Sequence, residues 1–125
     1  MDWQEQYEKA ADAEGASYSE MPLEQVLQLV KQGSYGDYYS IWRDVEDRAT
    51  LDQAGWLLYE VLHHDIDYLI RCNAAEALLT LLGCTDVMAN LDRAVVLTAH
   101  TVEERRPHLT ALKQELEEKI GTPAE

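Results

Sequence analysis

Phenylalanine is absent from this 125-residue chain, and it holds only three prolines, two cysteines and six glycines. So few breakers exclude a collagen-like or low-complexity chain. Two cysteines are too few to staple a disulfide miniprotein. Cys72 and Cys84 lie outside any C-x-x-C arrangement, so they read as reduced core thiols, not as a zinc or redox pair. Long apolar runs are also missing: the best stretches are short, such as 54–59, and a membrane-spanning helix needs about 20 apolar residues. The first residues, Met1, Asp2, Trp3, Gln4 and Glu5, show no basic segment before an apolar run. That predicts no secretion signal and a cytoplasmic protein. Bases are the last scarcity. Ten Lys and Arg face 24 Asp and Glu, giving a net charge of -14 and a pI near 4.5. Direct nucleic-acid binding needs clusters of Lys and Arg to displace counterions, so it is excluded as a leading function. An anionic membrane surface is disfavoured for the same reason. A basic protein partner is the natural complement.

Apolar residues make up 46% and charged residues 27%, which is ordinary for a globular protein. The length suits one domain with a real core. With no linker in view, residues 1–125 are expected to form a single acidic helical domain.

Nearly every segment has helical spacing, and no run alternates in the manner of a strand. Asp2 to Glu14 can form a first helix with Trp3, Tyr7, Ala10 and Ala11 on one face, stopped by Gly15. Pro22 opens a second, with Leu23, Val26, Leu27 and Val30 as its apolar face and Gly33 as its end. Asp37 is expected to cap a third helix running to about Asp47, with Tyr38, Ile41, Trp42 and Val45 inward. Thr50 and Gln53 resemble a capping box for a fourth, whose Leu51, Ala54, Leu58, Val61 and Leu62 share a side. Asp65 or Asp67 starts a fifth over Ile66 to Leu82, bearing Leu69, Ile70, Ala74, Ala77, Leu78, Leu81 and Leu82, before Gly83. Asp86 begins a sixth with Val87, Met88, Leu91, Ala94, Val95 and Leu97. A last helix starts near Val102 or just before Pro107 and carries Leu109, Leu112, Leu116 and Ile120. The expected fold is therefore all-α. It is a single-domain bundle, or helical-repeat-like array, of six to seven short antiparallel helices. No clean repeat period is visible.

Charge and aromatics are uneven along the chain. Residues 1–67 hold fifteen acids and four bases, and residues 68–125 hold nine acids and six bases. The net charges are thus -11 and -3. The first part also has all three Trp and six of the seven Tyr. Tyr and Trp anchor interfaces with large area and few rotatable bonds, and surrounding acids speed encounter with a basic partner. For each single aromatic, core packing is the favoured account, and Trp42 and Trp56 fall on helix faces expected to be core.

Catalytic chemistry finds little support. His63, His64, Asp65 and Asp67 form the one cluster resembling a metal or general-base site. Adjacent histidines point about 100° apart on a helix, whereas ligand pairs sit three or four residues apart. The cluster reads better as a polar corner between helices, with His63 near a helix C-terminus and its dipole. His100 and His108 stand in no motif, no serine lies in a nucleophile elbow, and no phosphate-binding glycine loop occurs. No cofactor and no enzymatic activity are expected.

Three stretches carry a family resemblance. They are residues 37–43 (DYYSIWR), 53–58 (QAGWLL) and 67–75 (DYLIRCNAA). Together they resemble small bacterial immunity proteins of polymorphic or contact-dependent growth-inhibition toxin systems, over about Leu23 to Leu82. The resemblance implies an all-helical cytoplasmic inhibitor that binds one cognate toxin domain, often a basic nuclease. Tyr35, Asp37, Tyr38, Asp44, Asp47, Asp65 and Asp67 are then the expected partner-binding residues. The acids would meet Lys or Arg, and the tyrosines would anchor the contact. The alternative is a non-enzymatic helical adaptor or scaffold.

Overall fold

A computed structural model describes residues 2–84 and 86–123. Among these the protein is all-α, with seven helices. They are α1 (Trp3–Glu20), α2 (Leu23–Lys31), α3 (Ser40–Arg48), α4 (Leu51–His64), α5 (Tyr68–Leu81), α6 (Val87–Leu97) and α7 (Val102–Ile120). None is long and apolar enough to cross a membrane. The helices group into two compact units, residues 1–49 and 50–125. Cutting the chain there changes the charge picture. Eleven acids and four bases fall in the first unit, thirteen and six in the second, so each carries -7.

In the first unit α3 packs against both α1 and α2. Ile41, Trp42 and Val45 are buried, as their spacing requires, together with Val26 and Val30 of α2. Helix α1 differs from expectation: it runs straight through Gly15 to Glu20. Gly15 does not end the helix. It lies where α3 comes close, and the Ser40 hydroxyl donates to the Ala11 carbonyl at 3.3 Å. The far end of α1 is closed by Arg48 of α3. Its Nη2 donates to the Tyr18 carbonyl and its Nη1 to the Met21 carbonyl, both at 2.9 Å. This supplies a positive charge to a helix C-terminus that has no base in its own last turn. Asp44 holds the guanidinium in place at 2.7 Å.

The second unit is a closed four-helix arrangement. α5 packs on α4, α6 on α5, α7 on α6, and α7 returns to α4. Leu58, Leu62, Leu78, Leu109, Leu112 and Leu116 fill its centre. Full burial of each such side chain is worth about 1.5–3 kcal/mol before conformational entropy is counted. Gly55 lets α4 and α7 approach, since a Cβ there would stand 3.0 Å from Ile120 Cδ1. The Trp56 indole donates to the Gly121 carbonyl at 3.1 Å and so caps α7. Thr50 donates its amide to the Gln53 side chain at 2.9 Å, the back-reaching half of the expected capping box. Asp86 caps α6 at the Ala89 amide, also as expected. α7 begins at Val102 and carries Pro107 inside it.

Two arginines lie deep in this unit, at 2% exposure for Arg71 and 3% for Arg105. Arg71 donates to the Asp65 carbonyl at 3.0 Å. Arg105 donates to the carbonyls of Ala99 (2.7 Å), His100 (3.2 Å) and His63 (3.3 Å). It thereby ties the end of α4 to the α6–α7 turn. Burial, and then the Arg71 charge, lower the Arg105 pKa.

Two stability measurements check this account. Gly15→Ala meets only ordinary contact with Ser40 at 3.8 Å, so denaturant unfolding should show a gain of about 0.5–1 kcal/mol, the usual cost of glycine inside a helix. Arg105→Met should lose about 2–4 kcal/mol, because buried carbonyls are left without a donor.

Candidate interaction face

The side chains that could meet a partner in the first unit are set by a contact between α1 and the loop before α3. The sequence suggests that Asp37 caps α3. The structure instead begins α3 at Ser40 and gives the role at the loop to Glu14 of α1. The Glu14 carboxylate accepts from the Asp37 amide at 3.1 Å and from the Tyr38 amide at 3.2 Å. A charged acceptor supplied by tertiary packing displaces the local cap, and charge-assisted bonds of this kind are the stronger ones. The loop passes tightly over this carboxylate. Gly36 has φ +75°, and a Cβ there would overlap both Glu14 and the Tyr18 hydroxyl. Tyr39 follows at φ 60°, in the left-handed region that a bulky residue adopts only when its surroundings hold it. Tyr18 is buried, and burial, then Glu14, then Asp37 raise its pKa.

Above this clamp stands a ladder of rings. Trp3 stacks on Tyr7 at 5.9 Å between centroids, and Tyr7 meets Tyr38 edge-on at 5.1 Å. Trp3 is 78% exposed, and Tyr7 and Tyr39 are exposed as well. The first two turns of α1 overhang the part that α3 covers, so its apolar stripe continues into solvent. Asp2, Glu5, Glu8 and Asp37 are exposed along the same helix and loop. The arrangement presents aromatic area among carboxylates.

The seven expected partner-binding residues divide between the units. Asp37 and Asp47 are exposed in the first unit. Tyr38 is half-buried under Tyr7, and Tyr35 is half-buried against Trp42 at 5.0 Å. Asp44 requires correction: it is only 8% exposed and bound to Arg48 through both carboxylate oxygens. Its charge is committed to the end of α1 and is not presented to a partner. Asp65 and Asp67 belong to the α4–α5 turn of the second unit. There Asp67 accepts from the Leu69 amide at 2.9 Å as the cap of α5, and Asp65 accepts from the Asp67 amide at 2.9 Å. Trp3, Tyr7 and Glu14 were not among the expected residues. The four-residue spacing of Trp3 and Tyr7 on a helix otherwise rich in acids was the available signal. Nothing local marks Glu14.

The His63–His64 corner lies at the end of α4. Its rings meet at 4.2 Å, and the His64 Nε2 lies 3.0 Å from Glu60. Among the described residues no group of three or more His, Cys, Asp or Glu side chains is placed to hold a metal ion. The expected gain of His63 from the helix dipole is outweighed. Burial, then His64, lower its pKa below the ordinary 6.5, with Glu60 opposing and Arg105 and Arg106 adding to the effect. Cys72 and Cys84 are unbridged and half-buried. No family model, curated protein or solved structure matches the chain.

Two outcomes are expected. Glu14→Gln keeps the shape of the clamp but weakens its two amide bonds, so backbone hydrogen exchange at Asp37 and Tyr38 should quicken about tenfold while exchange in α4 and α5 stays unchanged. As pH falls below about 6.5, the unfolded chain takes up a proton that folded His63 resists, so stability should decline there. Unfolding curves of His63→Gln should show a smaller decline over the same range.

Proposed function

We propose that this chain is an immunity-type inhibitor that binds and neutralises a basic toxin domain of the nuclease class. The observation that carries the reading is the Trp3–Tyr7–Tyr38 ladder, in which Trp3 and Tyr7 are exposed among carboxylates and Tyr38 stands on a loop that Glu14 holds in place. A net charge of -14 supports it, since nuclease surfaces are basic where they hold phosphate. Preorganised aromatics lower the entropy cost of binding, and the acids supply encounter rate. The inhibitor works by occupancy alone: covering the basic surface excludes nucleic acid, and no residue of this chain performs chemistry. The resemblance of residues 37–43, 53–58 and 67–75 to bacterial immunity proteins agrees with this reading.

The second reading, a non-enzymatic helical adaptor, draws on Met88, Leu91 and Val95, which are exposed on α6 although their spacing suggests a core face.

The tagged chain used as bait in its native bacterium separates the two. Capture of one basic toxin domain, released as salt rises, supports inhibition. Capture of a stable subunit indifferent to salt supports the adaptor. With the captured toxin domain in hand, Asp37→Lys with Asp47→Lys should slow association at low salt by about tenfold and leave folding intact. Unchanged association would remove those two acids from the face.

A further inference from the structure

The second unit carries an apolar surface that its own packing leaves uncovered. Ile66, in the α4–α5 turn, is 96% exposed, and Tyr68 and Leu69 beside it are more than half exposed. An isoleucine in solvent is ordinary on a mobile loop, but this turn is tied down. The Asp67 amide is held by Asp65, the Leu69 and Ile70 amides by Asp67, and the Asp65 carbonyl by buried Arg71. Tyr68 opens α5, and α6 packs on α5. On α6, Val95, Leu91 and Met88 precede Thr98 at intervals of three and four residues. They therefore lie along one stripe, and all three are exposed. Large exposed apolar patches mark interaction sites.

The charges around it select the partner. Asp65 and Asp67 flank Ile66, and Asp92 borders the α6 stripe beside Leu91, exposed. Arg93, the base of α6, is ion-paired with Glu115 of α7. We propose that the α4–α5 turn and the outer stripe of α6 form a second docking surface, which takes a basic protein surface with an apolar centre. Ile66 is its anchor: it enters an apolar socket whose rim of Lys or Arg meets Asp65 and Asp67. Holding the turn before contact reduces the ordering cost of binding. The inference deepens the inhibitor reading and rests on it, since it assigns to the second unit a partner of the same basic class.

Two synthetic peptides serve as probes of the intact, isotope-labelled chain. One is an amphipathic peptide of leucine and lysine, and the other has glutamate in place of lysine. The leucine–lysine peptide should shift the amides of residues 65–69 and of α6, and the glutamate peptide should not. Ile66→Ser, which removes no packing contact of an already exposed side chain, should weaken the leucine–lysine peptide about tenfold. Equal shifts with both peptides, no shift at residues 65–69, or an Ile66→Ser variant that binds as before would each overturn the proposal. Shifts confined to Trp3, Tyr7 and Tyr38 would overturn it while leaving the inhibitor reading intact. That reading fails separately, if the bait captures no basic protein.

Discussion

Guanidinium groups donating to helix-end carbonyls hold this structure together. Helices leave backbone carbonyls without a partner at their C-termini; left-handed glycines close α2, α5 and α7, and arginines serve at others. Arg48 closes α1, Arg71 takes the Asp65 carbonyl, and Arg105 gathers carbonyls from the end of α4 and the α6–α7 turn. A planar fork of five donors suits that task, and a lysine ammonium does not match it. The arrangement has a consequence for the surface. Three of the ten bases are directed into the fold, so the acids outside are less compensated than the formal charge alone conveys.

That inward use of arginine links stability to the proposed role. An inhibitor that acts by covering a basic surface needs negative charge displayed without its own bases folding back over it. Asp44 is the instructive exception: it is an acid drawn inward with Arg48, and its neutralised charge steadies α1 instead of facing a partner. Glu14 plays a comparable part for the loop before α3. One carboxylate, held against two amides, fixes where Tyr38 meets Tyr7 and therefore how far the aromatic ladder projects.

Much of the helical layout was legible from spacing and caps. The Asp67 and Asp86 caps, the Thr50–Gln53 pair and the buried positions of α3, α4 and α7 depend on neighbours within one or two turns, and such signals are written in the sequence itself. Thr101 with Glu104 was an equally readable start for α7: the Thr101 hydroxyl accepts from the Glu104 amide at 3.1 Å, which places the helix before Pro107. The errors share a cause of another kind. Gly15 reads as a stop until the approach of α3 is known. Asp37 reads as a cap until Glu14 arrives from 23 residues away. Met88, Leu91 and Val95 have the period of a buried face, yet period shows only which side chains share a side, not whether another helix covers them.

The sequence by itself determined that the protein is helical and acidic, with no apolar run long enough to cross a membrane as a helix. Those properties follow from composition and short-range periodicity, which each segment carries alone. Only the tertiary structure decided which charges are displayed and which are enclosed, which aromatics project and which fill the core, and which apolar stripe lacks a cover. Such outcomes depend on distant segments coming within hydrogen-bonding and van der Waals reach, and no local pattern records that.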